Sequence, residues 1–279
     1  MPATSLLEAP ELAAERIDAR ASGENFPVVS LLAPRYARPH LRAIYGFARL
    51  VDNLGDEADG DRMALLDELE RELDGPPRTG IMQRLHETID ACGLSLDPFR
   101  RLIEANRIDQ RKSRCANWEE VRDYCTYSAD PVGRLVLGVY GRAGEEELLR
   151  MSDSICTGLQ LVNFLQDPPR DLRLGRVYLP QNDLARFGVA DDDLAGPLTG
   201  EIVALLRYEG DRARSLLEAG LPLAEALGGR AGMSVALYAR GGLAALDALE
   251  RAGWDVFTSR PAPTKWRLAG LAFRELFRR

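Results

Sequence analysis

Helical periodicity runs through almost the whole of this 279-residue chain, and convincing runs of alternating apolar and polar residues are absent. The periodic segments end at glycine and proline clusters, none of which is long enough to be a linker. The pattern therefore predicts one all-α domain covering residues 1–279. The predicted helices are residues 5–20, 36–57, 61–74, 79–91, 98–111, 118–142, 145–167, 198–219, 231–253 and 263–278.

One long segment, roughly residues 172–195, lacks this periodicity. An irregular segment of that length is uncommon in a compact helical domain and is often functional, for example as a lid. We therefore expect residues 172–195 to form a functional loop.

Two segments place polar side chains along one face of an otherwise apolar helix. In residues 156–180 the polar stripe is Gln160, Asn163, Asp167 and Asp171. In residues 43–57 it is Tyr45, Arg49, Asp52 and Asp56. Two carboxylates one helical turn apart repel each other by a few tenths of a kcal/mol. A chain that does this twice, on helices with apolar backs, is expected to place a cation between them.

Magnesium is the cation that best suits these stripes. It prefers oxygen ligands and is typically held by one or two carboxylates plus substrate phosphate. Two facing helices of this kind can hold ions that bind a diphosphate and neutralise its charge as it leaves. For either aspartate pair alone, a solvated face is the simpler interpretation. The two stripes together favour the cation site.

Composition excludes several other classes of function. The net charge of −7 and the pI near 5.1 argue against a nucleic-acid partner. The four cysteines show no metal-binding spacing and are interpreted as reduced core residues of a cytosolic protein. With two histidines, a histidine triad or zinc site is nearly excluded. The N-terminus lacks the pattern of a signal peptide, so we expect a cytoplasmic protein, at most peripheral to the inner face of a membrane.

The C-terminal segment, residues 264–279, interleaves large apolar residues with basic ones. A basic amphipathic helix at a terminus can lie in a membrane interface, which predicts transient contact with a membrane surface. The alternative is a last helix that packs on the bundle with a solvated basic side.

The two stripes and a third segment resemble the signatures of the squalene/phytoene synthase family. Residues 43–57 and 156–180 are similar to its two aspartate-rich signatures, and residues 124–141 to its third, a tyrosine-led helix. The similarity extends from Glu24 to about Glu250. Within the family, three segments resemble the bacterial members of the hopanoid route: residues 24–32, 127–137 and 159–167. Those members ionise presqualene diphosphate and capture the cation with water to give hydroxysqualene.

The resemblance implies the all-α isoprenoid synthase bundle, with a central active-site cavity. It also implies roles for individual residues. The magnesium-diphosphate residues would be Asp52, Asp56, Asp167 and Asp171. Contacts to phosphate would come from Tyr45, Arg49 and, in the flap formed by residues 173–180, Arg176. The reaction cavity would be lined by Asn163, Gln160, Tyr124, Phe26, its neighbour Asn25 and, as a weaker match, Tyr238.

The implied reaction requires magnesium and, in the absence of a GxGxxG sequence after a strand, no NADPH. Released pyrophosphate would act as the base. The implied partners are presqualene diphosphate and other enzymes of the hopanoid pathway. Outside the motif context, each of the tyrosines would be interpreted as a core residue with a satisfied hydroxyl.

The chain departs from the family pattern at several positions. Asn53 stands where many members have an aspartate, and Gln166 replaces an arginine that often precedes Asp167. Asn25 stands where condensing members often have serine. Pro168-Pro169 interrupts the second signature, so its helix is expected to kink or end near Asp167. The lost charges at 53 and 166 fit a site that handles one diphosphate instead of two.

Two alternatives stay open at this point. The nearest is head-to-head condensation of two prenyl diphosphates to presqualene diphosphate, squalene or phytoene, which requires two diphosphate subsites. The other is a non-catalytic scaffold on the same fold. A scaffold would be expected to have lost the aspartates, and all four are present.

Overall fold

The computed structural model describes residues 32–276, and this part of the chain is helical throughout its regular structure. The first seven helices are α1 (Ala37–Asp56), α2 (Arg62–Asp74), α3 (Gly80–Cys92), α4 (Asp97–Arg111), α5 (Trp118–Ser128), α6 (Asp130–Val139) and α7 (Glu146–Gln166). The others are α8 (Pro168–Arg173), α9 (Gln181–Phe187), a 3₁₀ helix (Asp191–Ala195), α10 (Gly200–Gly220), α11 (Pro222–Leu227), α12 (Gly229–Arg251) and α13 (Lys265–Leu276). The predicted all-α fold is confirmed. The helix predicted for residues 5–20 lies outside the described residues.

The prediction of one helix over residues 118–142 is wrong. The chain leaves helical geometry at Ala129, with φ −126° and ψ −54°, and restarts as α6. Pro131 has no N–H to donate to the carbonyl of Tyr127, which a continuous helix would require, but it is tolerated in the first turn of a new helix.

The prediction of an irregular segment over residues 172–195 is also wrong in part. The segment contains α9 and the 3₁₀ helix. Helix α9 begins after Pro180 and ends at Gly188, whose φ of +70° is favourable for glycine and terminates the helix. Helix is lacking in residues 174–180, between α8 and α9, and in residues 188–190, before the 3₁₀ helix.

The apolar residues form two core clusters. One is built mainly from α1 to α4 and includes Phe47 and Phe99, whose rings meet edge to face. The other is built mainly from α5, α7, α10 and α12. Tyr140, at the end of α6, packs against both clusters and so joins the two halves of the bundle.

Helices α7 and α10 approach each other closely because glycines lie at their interface. A Cβ atom on Gly158 would lie 2.9 Å from Cγ of Leu217 and 3.2 Å from the carbonyl oxygen of Ala213. A Cβ atom on Gly220 would lie 2.8 Å from the carbonyl oxygen of Met151. Side chains at these positions would push the helices apart, so glycine fixes their spacing.

Candidate active site

The second polar stripe is divided between two helices. Helix α7 ends at Gln166, and Asp167 follows it as the C-cap with φ −119° and ψ 21°. The amides of Arg170 and Asp171 both donate to the carbonyl oxygen of Asp167 at 2.9 Å, which starts α8. The prediction that Pro168-Pro169 ends the helix near Asp167 is confirmed.

Arg176 connects the segment after α8 to the first polar stripe. Its Nη1 donates to Oδ1 of Asp56 at 2.6 Å and lies 3.8 Å from Oδ2 of Asp109, on α4. Arg176 is buried, so both contacts lie in a region of low dielectric, where charge pairs interact more strongly than at the surface. The predicted anion contact is thus paired here with carboxylates.

Asp109 also accepts a hydrogen bond from Tyr124, whose hydroxyl lies 2.7 Å from Oδ2. Burial raises the pKa of Asp109 to about 6, although Arg176 and the hydroxyls of Tyr124 and Tyr178 favour its ionised form. Burial also raises the pKa of the Tyr124 hydroxyl. Tyr124 is therefore a neutral donor held by a carboxylate that titrates near neutrality.

Three aromatic rings stack beside this network. The rings of Phe164 and Tyr178 are nearly parallel, with centroids 4.2 Å apart, and Tyr124 stacks on Tyr178 at 5.4 Å. Phe164 belongs to α7, Tyr124 to α5, and Tyr178 to the segment between α8 and α9. Aromatic faces of this kind stabilise a nearby positive charge.

The carboxylates of the second stripe have different surroundings. Asp167 accepts two hydrogen bonds from Arg260, at 2.7 and 2.8 Å. Burial raises the pKa of Asp171 to about 7, and the nearby negative charges of Asp167 and Asp56 raise it further. The amide of Arg176 donates to the carbonyl oxygen of Asp171 at 2.9 Å while its side chain bonds Asp56, so the two stripes meet at this end of the bundle.

Three of these carboxylates lie at or near the carboxyl ends of helices. Asp56 is the last residue of α1, Asp109 lies in the last turn of α4, and Asp167 follows α7. The helix dipole is unfavourable to an anion there, by about 0.3–1 kcal/mol at a surface position. Arg176 and Arg260 offset this for Asp56 and Asp167. Together, the three carboxylates and the helix ends produce a negative electrostatic potential, which favours the binding of cations.

The donor set fits magnesium in its chemistry, since it consists of carboxylate oxygens. Within residues 32–276, however, no three acidic, cysteine or histidine side chains converge closely enough to hold an ion. Asp56 and Asp167 are instead occupied by their arginine partners. Ligation of a cation would require these arginines to move away from the carboxylates.

A small recess adjoins the network. It holds about 10 Å³ of free volume and is lined by Phe164, Pro168, Asp171, Arg176, Val177, Tyr178, Leu179 and Leu194. This is room for about one water molecule. A prenyl chain can enter beside these side chains only if some of them are displaced.

The other predicted site residues lie in varied surroundings. Asp52 and Asn163 are exposed, while Tyr45, Arg49 and Gln160 are half-buried. Tyr238, on α12, is electrostatically coupled to Tyr140 and Cys156, and burial raises its pKa. Asn25 and Phe26 lie outside the described residues.

The structure shows the surroundings of the two neutral residues that depart from the family pattern, Asn53 and Gln166. Asn53 is buried, so it does not share the exposed position of Asp52. Gln166 is buried as well, and its Nε2 donates to the carbonyl oxygen of Pro261 at 2.5 Å. The amide that replaces a family arginine thus attaches residues 260–261 to the end of α7.

Sequence reasoning missed three participants. Asp109 is a single carboxylate in its part of α4, and Arg260 stood beside Pro261, where the sequence indicated a helix break. Tyr178 lies in the segment identified as a flap, where its aromatic character was a signal that could have been used. Asp109 and Arg260 contact residues of the stripes that are distant from them in the sequence. Helical periodicity gives no information about such long-range contacts.

Comparison with known proteins places this architecture among enzymes of isoprenoid synthesis. Residues 19–267 match the squalene/phytoene synthase family. The chain is 37% identical to the hydroxysqualene synthase of Sinorhizobium fredii over 212 residues, which cover 74% of this chain and 72% of that protein. It is 31% identical to the 15-cis-phytoene synthase of Synechococcus elongatus over 266 residues, covering 88% and 85%.

A solved structure is similar along most of its length. The squalene synthase HpnC of Alicyclobacillus acidocaldarius superposes with a TM-score of 0.79 and is 46% identical. The match covers 86% of this chain and 94% of that one.

Proposed function

The chain belongs to the squalene/phytoene synthase family, and we propose that within it the protein is a hydroxysqualene synthase. It would ionise presqualene diphosphate and capture the cation with water, releasing hydroxysqualene and pyrophosphate. Enzymes of this family act on prenyl diphosphates. The finer assignment makes this protein a carbon–oxygen lyase of squalene and hopanoid biosynthesis, with other enzymes of that pathway as neighbours in the reaction sequence.

One observation carries the proposal. At the ends of α1, α4 and α7, carboxylates that are bonded to two arginines lie beside a stack of aromatic rings. Charged groups that can bind a diphosphate thus lie beside aromatic faces that can stabilise a carbocation. Identity to hydroxysqualene synthases and the neutral residues Asn53 and Gln166 favour a site for a single diphosphate.

Different residues of the site stabilise the negative charge of the leaving pyrophosphate and the positive charge of the carbocation. Asp52, Asp56, Asp167 and Asp171 would hold magnesium ions, which would supply neutralisation of the leaving pyrophosphate. Arg176, once released from Asp56, would donate to phosphate oxygens. The faces of Phe164 and Tyr178 then stabilise the cyclopropylcarbinyl cation during its rearrangement.

Water adds to the rearranged cation and loses a proton. Gln160, Asn163 or the hydroxyl of Tyr124 would orient this water, and the proton goes to the released pyrophosphate. Both histidines are engaged elsewhere, His40 with Thr88 and His86 with the carbonyl oxygen of Glu72. The carbon–oxygen bond to diphosphate is broken and one to water is formed, so no reductant is consumed and NADPH is not required.

Incubation with presqualene diphosphate and magnesium, without NADPH, tests the proposal. The expected products, by mass spectrometry and phosphate analysis, are hydroxysqualene and pyrophosphate in equal amounts. Asp167→Asn should lose this turnover, whereas Asp90→Asn, an exposed change on α3, should keep it. Turnover that requires NADPH and yields squalene would overturn the water-capture assignment.

Condensation of two prenyl diphosphates is a second candidate, favoured by the similarity to the squalene synthase HpnC and to phytoene synthases. Farnesyl diphosphate supplied alone with magnesium separates the two. Its consumption to a condensed C30 product would establish the condensing activity and would mean that Asn53 and Gln166 do not limit the site to one diphosphate.

A further inference from the structure

Helix α13 carries an apolar stripe that faces away from the protein. Trp266 is 88% exposed and Phe273 is 62% exposed. Ala269 and Gly270 are exposed between them, and spacings of three and four residues place all four on one face. In a helix that only packs on a bundle, large apolar residues belong on the opposite, buried side.

The buried side of α13 is occupied by other residues. Glu275 is 5% exposed and pairs with Arg240 of α12, with Nη1 and Oε1 2.7 Å apart. Arg267, although exposed, also bonds α12, through Asp247. Leu268 and Leu271 are half-buried. These contacts fix the orientation of α13, so its apolar stripe points outward because of the fold.

The charge around the stripe is opposite to that of the whole chain. Residues 264–279 carry five basic side chains and one carboxylate, a net charge of +4, in a chain whose net charge is −7. Arg267 and Arg274 are exposed along one flank of the stripe. An exposed Trp and Phe beside basic residues match an anionic bilayer surface, where the rings enter the interface and the basic groups meet lipid headgroups.

The stripe is close to the candidate active site along the chain. Arg260 bonds Asp167, and the carbonyl of Pro261 accepts from Gln166. Trp266 lies six positions after Arg260 in the chain, a span of at most about 20 Å.

We propose that α13 binds the surface of an anionic lipid bilayer through Trp266 and Phe273 and thereby holds the active site against the membrane. None of the helices in the described range has the length and hydropathy to cross a bilayer, which is consistent with binding at the surface. The consequence for catalysis, that a prenyl diphosphate reaches the site from the bilayer, rests on the proposed function.

Sedimentation of the full chain with lipid vesicles tests the surface directly. We expect binding to vesicles of phosphatidylcholine mixed with phosphatidylglycerol, and much weaker binding to phosphatidylcholine alone or at high salt. The double change Trp266→Ala/Phe273→Ala should lower the partition coefficient at least about tenfold, because two large apolar side chains are lost. Tyr36→Ala removes a ring that is also 62% exposed but lies outside α13, and this change should leave the partition coefficient unchanged.

Equal binding of the double variant and the unchanged protein, or no binding at physiological salt, would overturn the proposal. So would dimerisation in ultracentrifugation that depends on the two rings and occurs without vesicles, since the occupant would then be a second copy.

Turnover of presqualene diphosphate in detergent micelles separates the two proposals. The double variant should keep full turnover there and lose it only when substrate is presented in vesicles. Vesicle binding by a protein that fails to turn over this substrate would sink the proposed function and leave the surface assignment standing.

Discussion

The two aspartate stripes have similar sequence patterns and different structures. The first lies on one uninterrupted helix, α1, and ends at its last residue, Asp56. The second is split between Asp167, which caps α7, and Asp171 in α8. An unbroken helix keeps its stripe in line and leaves Asp52 exposed. The proline break places Asp171 in a half-buried position, where its pKa is raised to about 7.

The difference shows that equal spacing in sequence does not give equal chemistry. In each stripe one carboxylate is bonded to an arginine, Asp56 to Arg176 and Asp167 to Arg260. The other aspartate of each stripe is exposed in the first stripe and half-buried in the second. We infer that the second stripe sets the pH dependence of the site.

The largest effect is expected from removal of a carboxylate in either stripe. Asp52→Ala and Asp167→Ala should each lower kcat by at least about 10²–10³-fold, because electrostatic stabilisation of the leaving group is lost. Rapid-quench measurement of pyrophosphate release tests this, with Asp90→Ala as the control and circular dichroism to verify folding. Unchanged turnover in both variants would contradict the assignment of the metal site, and loss in only one would confine catalysis to that stripe.

A stability loss of about 1–3 kcal/mol is expected for Tyr124→Phe, because Asp109 would lose a hydrogen bond while staying buried. Tyr127→Phe on the same helix is the matched control and should cost less. The free energy of unfolding from urea titration decides between them. Equal values would mean that Arg176 and Tyr178 are sufficient to satisfy Asp109 and that the first stripe does not depend on α5.

The dependence of the free energy of unfolding on pH is expected to distinguish Asp171 from Asp52. Because the pKa of Asp171 is raised to about 7 in the folded state, the folded protein binds its proton more tightly than the unfolded chain does. The contribution of Asp171 to stability is therefore present at low pH and lost as the pH rises through about 7.

Asp171→Asn removes this titration. The free energy of unfolding of the variant, relative to that of the unchanged protein, should therefore be higher at pH 8 than at mildly acidic pH. Urea titrations at the two pH values, without divalent cations, measure the gain. Asp52→Asn should show no comparable gain. An Asp171→Asn variant whose relative stability does not change with pH would contradict the buried, proton-binding state.

The smallest effect is expected for Pro168→Ala. Pro168 suits the first turn of α8, and its ring restricts the unfolded chain, so its loss should lower the free energy of unfolding by about 0.4–1 kcal/mol. Thermal unfolding measures this, with Pro222→Ala at the start of α11 as the matched control. A stabilised variant would show that the break between α7 and α8 is strained and that the second stripe tends to become continuous like the first.

The helices were predictable because each has its own apolar face. Residues 36–57 were predicted to be helical, and α1 covers Ala37–Asp56. The prediction went wrong where proline and periodicity conflicted, as at Pro131, and where a short helix such as α9 is too brief to show a period.

The site was predictable to the extent that it is local in sequence. The two stripes, the break at Pro168-Pro169 and the position of Arg176 in the flap could all be identified from neighbouring residues. The pairing of Arg176 with Asp56 spans 120 residues, and that of Arg260 with Asp167 spans 93. Such pairs depend on how helices pack, and no periodic pattern encodes them.

The glycine contacts between α7 and α10 determine which parts of the protein can open. Leu217 already lies against Gly158, and Gly220 against the backbone of Met151, so sliding of either helix would create steric overlap in an interior that compresses little. Helix α7 is therefore a stationary support for the second stripe. Opening of the recess must come from the other segments that line it, above all residues 174–180 and the 3₁₀ helix with Leu194. The Arg260 pair is partly exposed, so water can replace it at little cost.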